Sequence, residues 1–177
     1  DRLNHTDPNQ TFINGFVWKE KAERLFYQTQ FSACSGLYPP DVNFWQRTDA
    51  MSCMEITNQT PVETQSLSGL LSTHGLGSHD FLKLDIEGAE LDVLIGSPDV
   101  IDQLIAIETE VRFFPSHVGC SAFSETDEFL RSKGFSLFDL EIHKYSRNTI
   151  PCVSPYRNEL GEVVAGPSKH GQVVFGN

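Results

Sequence analysis

The chain has 177 residues, 39% of them hydrophobic and thirteen of them phenylalanine, which is one domain's worth and enough to bury a core. Twenty-four acidic residues against 13 basic ones give a net charge of −11 with no basic patch, which speaks against nucleic acid and anionic membrane surfaces as partners. No run approaches the roughly eighteen apolar residues that a membrane-spanning helix needs.

Residues 1–10 read as a polar loop. Residues 11–18 and 24–31 read as strands around the charged turn Lys19–Glu23. Residues 32–61 contain Pro39-Pro40 and many polar residues, an excursion too long for a simple connection. Tyr38, Phe44 and Trp45 either line a substrate pocket there or pin the excursion to the body, and pinning is the expectation. Leu67, Leu70 and Leu71 have the spacing of a short helix that ends at Gly75 or Gly77. A strand over Asp80–Ile86 leads into a helix from about Gly88 to Ile95, with Glu87 and Glu90 near its N-terminus and Leu91, Leu94 and Ile95 as its buried stripe. Gly96 and Pro98 stop it. Leu104–Phe113 is the next strand, and Glu108, Glu110 and Arg112 share one of its faces. These carboxylates form either a cleft rim or a half-exposed, self-paired charge row; the two readings are even for Glu108, and the charge row is preferred for Glu110. Ser124–Lys133 is an amphipathic helix with a weak capping box from Ser124 to Asp127 and a closing Gly134. Phe135–Leu140 alternates as a strand, residues 144–170 read as a long loop near the active-site mouth, and Gln172–Phe175 is the final strand. There is no internal repeat.

The most informative stretch is Asp80–Leu94. Phe81, Lys83 and Asp85 share one strand face, and Leu82, Leu84 and Ile86 the other, so the run reads as a central parallel strand covered on both sides. Burying Lys83 and Asp85 there is unfavourable unless they pair or meet a ligand. Asp85 stands at the strand's carboxyl end, where open α/β sheets bind ligands. The plainer reading makes Asp85 or Glu87 a helix cap with Lys83 as counter-ion, and on composition and spacing alone capping stands slightly ahead.

Residues Lys83–Glu90, Lys-Leu-Asp-Ile-Glu-Gly-Ala-Glu, resemble the signature of the FkbM family of S-adenosylmethionine-dependent methyltransferases. Val62–Leu71 is similar to the family segment before it, with Ser68 where that family usually has an aspartate. Leu25–Thr29 and Ala33–Tyr38 resemble its strand and serine-bearing loop, Leu104–Glu110 the strand after the signature helix, Phe129–Phe135 the last helix-to-strand turn, and Gly171–Gly176 the terminal hairpin. The chain departs from the pattern in lacking a G-x-G-x-x-G turn.

The resemblance implies an α/β, Rossmann-like doubly wound sheet of seven strands in the order 3-2-1-4-5-7-6, the last antiparallel, with S-adenosylmethionine as cofactor. It also implies that residues 1–177 are a partial domain, from the third strand to the final hairpin. A missing N-terminal segment or a partner chain is then expected to cover the open edge beside the signature strand. The implied reaction is O-methylation of a small-molecule hydroxyl on a sugar or polyketide. Asp85 orients substrate or methyl donor, Glu87 is the second carboxylate, Glu108 completes an acidic rim, and His117 is an alternative base. Lys83 steadies Asp85 and lies with it in the cofactor site. His79 reads as a solvated loop residue. Asp85, Glu87 and Glu108 have the oxygen chemistry for magnesium, but no metal is assigned. The acidity reads as solubility ahead of attraction for a sulfonium.

Two other classes stay open: a truncated, non-catalytic α/β domain that binds a partner protein across its sheet edge, favoured by the missing glycine-rich turn, and a metal-dependent hydrolase, for which histidine ligands are lacking. Cys34, Cys53, Cys120 and Cys152 show no metal spacing, so free thiols in a reducing, cytoplasmic compartment are expected. Sequons at Asn4, Asn9 and Asn58 leave a secretory location open.

Overall fold

The computed structural model describes residues 10–48 and 50–142 and the backbone of three further strands, Tyr156–Arg157, Val163–Val164 and Gly171–Gly176. Its architecture is mixed α/β, with two larger sheets among these residues.

The first sheet contains β1 (Phe16–Val17), β2 (Ala22–Thr29) and β3 (Ile56–Gln65) in the order β1-β3-β2, with β1 parallel and β2 antiparallel to β3. Thr64 Oγ1 donates to the carbonyls of Glu20 (3.0 Å) and Ala22 (3.1 Å) and so fixes the charged turn between β1 and β2. The strand expected over residues 11–18 is confined to Phe16–Val17. β3 corrects the expected excursion 32–61, which ends before Ile56. Its first six residues, Ile-Thr-Asn-Gln-Thr-Pro, are all exposed, so no apolar face announces the strand.

The excursion itself is held by its aromatics, as expected. Helix α1 (Val42–Trp45) starts at Asp41, whose carboxylate accepts the Asn43 N–H at 2.8 Å. Trp45 is fully buried and donates from Nε1 to the Ser116 carbonyl at 2.7 Å. The Asp41 and Val118 amides reach Ser116 and Pro39 carbonyls at 2.9 and 2.8 Å, and Tyr38 Oη donates to Asp92 Oδ2 at 2.7 Å. Trp45 packs with Cys34 and Met54. Burial, then the negative charge of Glu87, pushes the Cys34 thiol from 9.0 up to about 12. Because the folded value is raised, the stability it contributes is complete below pH 9.0 and is lost as pH climbs toward 12. Cys34 is therefore expected to resist iodoacetamide in the folded protein at pH 8 and to react once denatured, as read by peptide mass mapping. Rapid native-state alkylation of Cys34 would contradict this placement.

The second sheet contains β4 (Phe81–Leu84), β5 (Ala106–Val111), β6 (Ser136–Glu141) and β9 (Gly171–Gly176), and β7 (Tyr156–Arg157) and β8 (Val163–Val164) pair antiparallel as a separate two-stranded sheet. The order is β4-β5-β9-β6; β4 and β5 are parallel, and β9 runs antiparallel to both its neighbours. Helices α2 (Leu67–Thr73), α3 (Glu90–Ile95), α4 (Pro98–Ile101) and α5 (Phe123–Ser132) complete the domain. Leu84, Val93, Leu94, Ile101, Ile107 and Leu130 form the centre of its core.

Three expectations are corrected here. β4 is not covered on both sides: among the described residues it pairs only with β5, Phe81 is 52% exposed and Lys83 and Asp85 are exposed with it. The α3 stripe is Val93 and Leu94 with half-buried Leu91, and Ile95 is 49% exposed, because the helix turns its Val93–Leu94 side onto the core of Ile101, Leu104 and Ile107. α5 is capped at Ala122, not Ser124; Glu125 Oε2 accepts the Ala122 N–H at 2.7 Å, the return half of a capping box. The loop expected over 144–170 lies outside the described residues apart from β7 and β8. No helix among the described residues is long and apolar enough to cross a membrane.

Candidate functional site

Immediately after β4 the backbone turns through Glu87 (φ 57°) and Gly88 (φ 107°) before α3 begins. Glycine adopts this left-handed region freely, whereas a glutamate is held there at a cost of about 1 kcal/mol or more. Two buried side chains and a close-lying glycine hold it. Glu90 accepts the N–H groups of Ile86 (3.2 Å) and Gly88 (3.0 Å). Arg112 donates from Nη2 to Glu87 Oε2 (2.9 Å) and Glu110 Oε2 (2.8 Å), and from Nη1 to Glu90 Oε2 (3.4 Å). Behind the turn stands Gly36, where a Cβ would come within 2.9 Å of the Glu87 carbonyl oxygen.

All four ionisable members are buried, from 4% exposed at Glu90 and Glu110 to 9% at Arg112. Desolvation pulls the Arg112 guanidinium down, but Glu90, Glu110 and Glu87 outweigh it and its pKa is raised. Desolvation pushes the Glu90 carboxyl up, with Arg112 opposing, and the net direction is upward.

Asp85 differs from its neighbours in being exposed, and it faces a cavity of about 260 Å³. Phe16 from β1, Phe26 from β2, Gly36 and Leu37 from the excursion, and Ile86 line the same cavity, with Asp85 its only ionisable side chain among the described residues. The two phenylalanine rings lie 5.0 Å apart at 56° and form an aromatic wall. Carboxylate oxygens of Asp85, Glu87 and Glu110 lie within 4.8 Å of one another, but the Arg112 guanidinium already sits against two of the three.

The other residues singled out in the sequence lie elsewhere. Lys83 and Glu108 are partners in the β4–β5 register, and Lys83 Nζ meets Glu108 Oε1 at 2.5 Å. The expectation that Lys83 chiefly steadies Asp85 is therefore corrected: the hydrogen bond to Glu108 raises the Lys83 pKa most, and Asp85 adds less. Neither Lys83 nor Glu108 lines the cavity. His117 is buried at 1% exposure, paired in an isolated bridge with Pro40, its Nδ1 3.1 Å from Ser116 Oγ and its ring 6.3 Å from that of Trp45. That position places it under the excursion rather than on the cavity wall. His79 is exposed, as expected.

Arg112 and Glu90 are the members that sequence reasoning missed. The signal for Arg112 was its shared face with Glu110, which was read as half-exposed. Glu110 and Arg112 do pair within the row but are buried because α3 and the turn cover them, whereas Glu108 pairs with Lys83 of β4.

Residues 21–137 match the Methyltransferase FkbM domain. No curated protein and no solved structure matches the chain.

Proposed function

The chain belongs to the FkbM methyltransferase family, and on that premise we propose that it is an S-adenosylmethionine-dependent O-methyltransferase acting on a hydroxyl of a small molecule such as a sugar or polyketide. The observation that carries this reading is Asp85 at the carboxyl end of β4, an exposed carboxylate on an aromatic-walled cavity. The cofactor fits in part. Sites for whole ligands of that size run from roughly 300 Å³ upward, so a cavity of about 260 Å³ suits the nucleoside portion. Phe16 and Phe26 offer ring faces to a purine, and Asp85 offers an acceptor to ribose hydroxyls or an anion to a sulfonium.

Bound there, the cofactor supplies an electrophilic methyl group. The chain's part is alignment and exclusion of water. Asp85 holds its partner through a charge-assisted hydrogen bond, and the aromatic wall fixes the plane of the ring. Glu87 is committed to Arg112, so its role is to set the turn, and Glu108 with Lys83 forms a charged pair on the exposed face of β4 and β5.

The order β4-β5-β9-β6 with β9 antiparallel supports reading this sheet as the 4-5-7-6 half of a seven-stranded methyltransferase sheet. We propose that strands outside the chain pair with β4 and complete both sheet and site. The open β4 edge with Phe81 exposed also favours the second reading, a domain that docks a partner protein there.

Calorimetric titration of S-adenosylhomocysteine into wild type and Asp85→Asn distinguishes them. Loss of a hydrogen bond to a charged acceptor is expected to weaken binding about tenfold or more in Asp85→Asn. Equal affinity in both proteins would remove Asp85 from the site.

A further inference from the structure

We infer that Arg112 is a positioning residue, which clamps the carboxylates of Glu87, Glu90 and Glu110 and thereby keeps the turn after β4 in the one conformation that presents Asp85 to the cavity. The inference rests on the cofactor reading above and deepens it. Its ground is convergence: Glu87 comes from the turn, Glu90 from α3 and Glu110 from β5, and a single buried guanidinium reaches all three at 2.8 to 3.4 Å. A planar fork can serve several carboxylates at once in a way that a lysine ammonium on a flexible stem cannot.

Stability alone is a poor reason for such a cluster, since apolar residues of similar volume often replace buried ion pairs without loss. The backbone supplies the better reason. Glu87 sits at φ 57°, a conformation that its own side chain disfavours, and the next residue but two, Glu90, grips the amides on both sides of it. Arg112 ties both acids to β5. Arg112 takes its partners from Glu87, Glu90 and Glu110, and Asp85 is carried by the turn that they hold, two residues before Glu87. Arg112 therefore acts on the cavity through backbone placement, without touching the ligand.

The test is a double-mutant cycle with Arg112→Lys, which keeps a positive charge and so favours folding, and Asp85→Asn. With S-adenosylhomocysteine as the probe, Arg112→Lys is expected to raise the dissociation constant about tenfold when Asp85 is present and less than about twofold when it is asparagine. In the same proteins, amide exchange at Ile86 and Gly88 is expected to quicken in Arg112→Lys while exchange across α5 stays as in wild type. An equal loss in both backgrounds would overturn the inference by showing that Arg112 acts independently of Asp85. Unchanged protection at Gly88 would overturn it by showing that the turn holds without the fork. The cycle is run in whichever protein binds, the 177 residues or the same chain with any residues its gene encodes before Asp1. Binding of S-adenosylhomocysteine by neither would sink the cofactor reading instead, and exchange at Gly88 then decides whether Arg112 holds the turn.

Discussion

Replacing Arg112 by methionine is expected to destabilise the protein by about 3–5 kcal/mol at neutral pH, the range for removing one partner of a buried charge cluster. Methionine fills much of the space, so the loss is electrostatic. It leaves Glu87, Glu90 and Glu110, each at most 6% exposed, without the guanidinium that compensates them. The pH dependence follows from the direction of the carboxyl shift. Glu90 already lies above 4.5, and Arg112 is what holds it down against desolvation. Without Arg112 it rises further. A raised carboxyl contributes its stability below the unfolded pKa and loses it as pH rises through the folded one. The deficit of Arg112→Met is thus largest at pH 7 to 8 and shrinks toward pH 4, and adding Glu110→Gln recovers part of it at neutral pH. Urea unfolding across that range measures it; a loss that does not vary with pH would show that packing, not charge, is what Arg112 supplies.

Gly96→Ala is expected to lose about 3 kcal/mol, at the upper end for overpacking, which for a chain of this size lowers the melting temperature by roughly 6–12 °C. A Cβ at Gly96 would lie 2.1 Å from the Lys19 carbonyl oxygen and 2.3 Å from its Cα, both backbone atoms. The residue's own backbone, φ −77° and ψ −3°, suits alanine well. Intrinsic preference therefore favours the substitution, and any loss reports the contact between the charged turn of the first sheet and the end of α3. Gly77→Ala, with nothing within 4 Å of the added carbon, is the control and is expected to melt with wild type. Coincident melting of Gly96→Ala and wild type would mean that the two segments do not touch.

What was legible in the sequence follows from range. The alternation in Phe81–Ile86, the helix after it and the shared face of Glu108, Glu110 and Arg112 are local patterns, and the structure realises each of them. Asp85 could be set at a strand's carboxyl end for the same reason. β3 was illegible because its first six residues are exposed on both faces and show no apolar alternation. The exposed face of β4 was missed because Leu82, Leu84 and Ile86 supply an apolar face whether the other face is covered or not. The clamp joins Arg112 to Glu87 and Glu90 across separations of 25 and 22 residues, and Trp45 reaches Ser116 across 71. Such partners are set by the packing of whole elements, which spacing along the chain does not encode. The left-handed Glu87 had only the neighbouring Gly88 to announce it.

The most direct measurement is calorimetric titration of S-adenosylhomocysteine into these 177 residues and into the same chain with any residues that its gene encodes before Asp1. Saturable binding by the longer protein, weaker or absent in the 177 residues and reduced about tenfold by Asp85→Asn, is the expected result. No binding by either protein would contradict a cofactor site at Asp85 and leave the open edge of β4 as the functional surface.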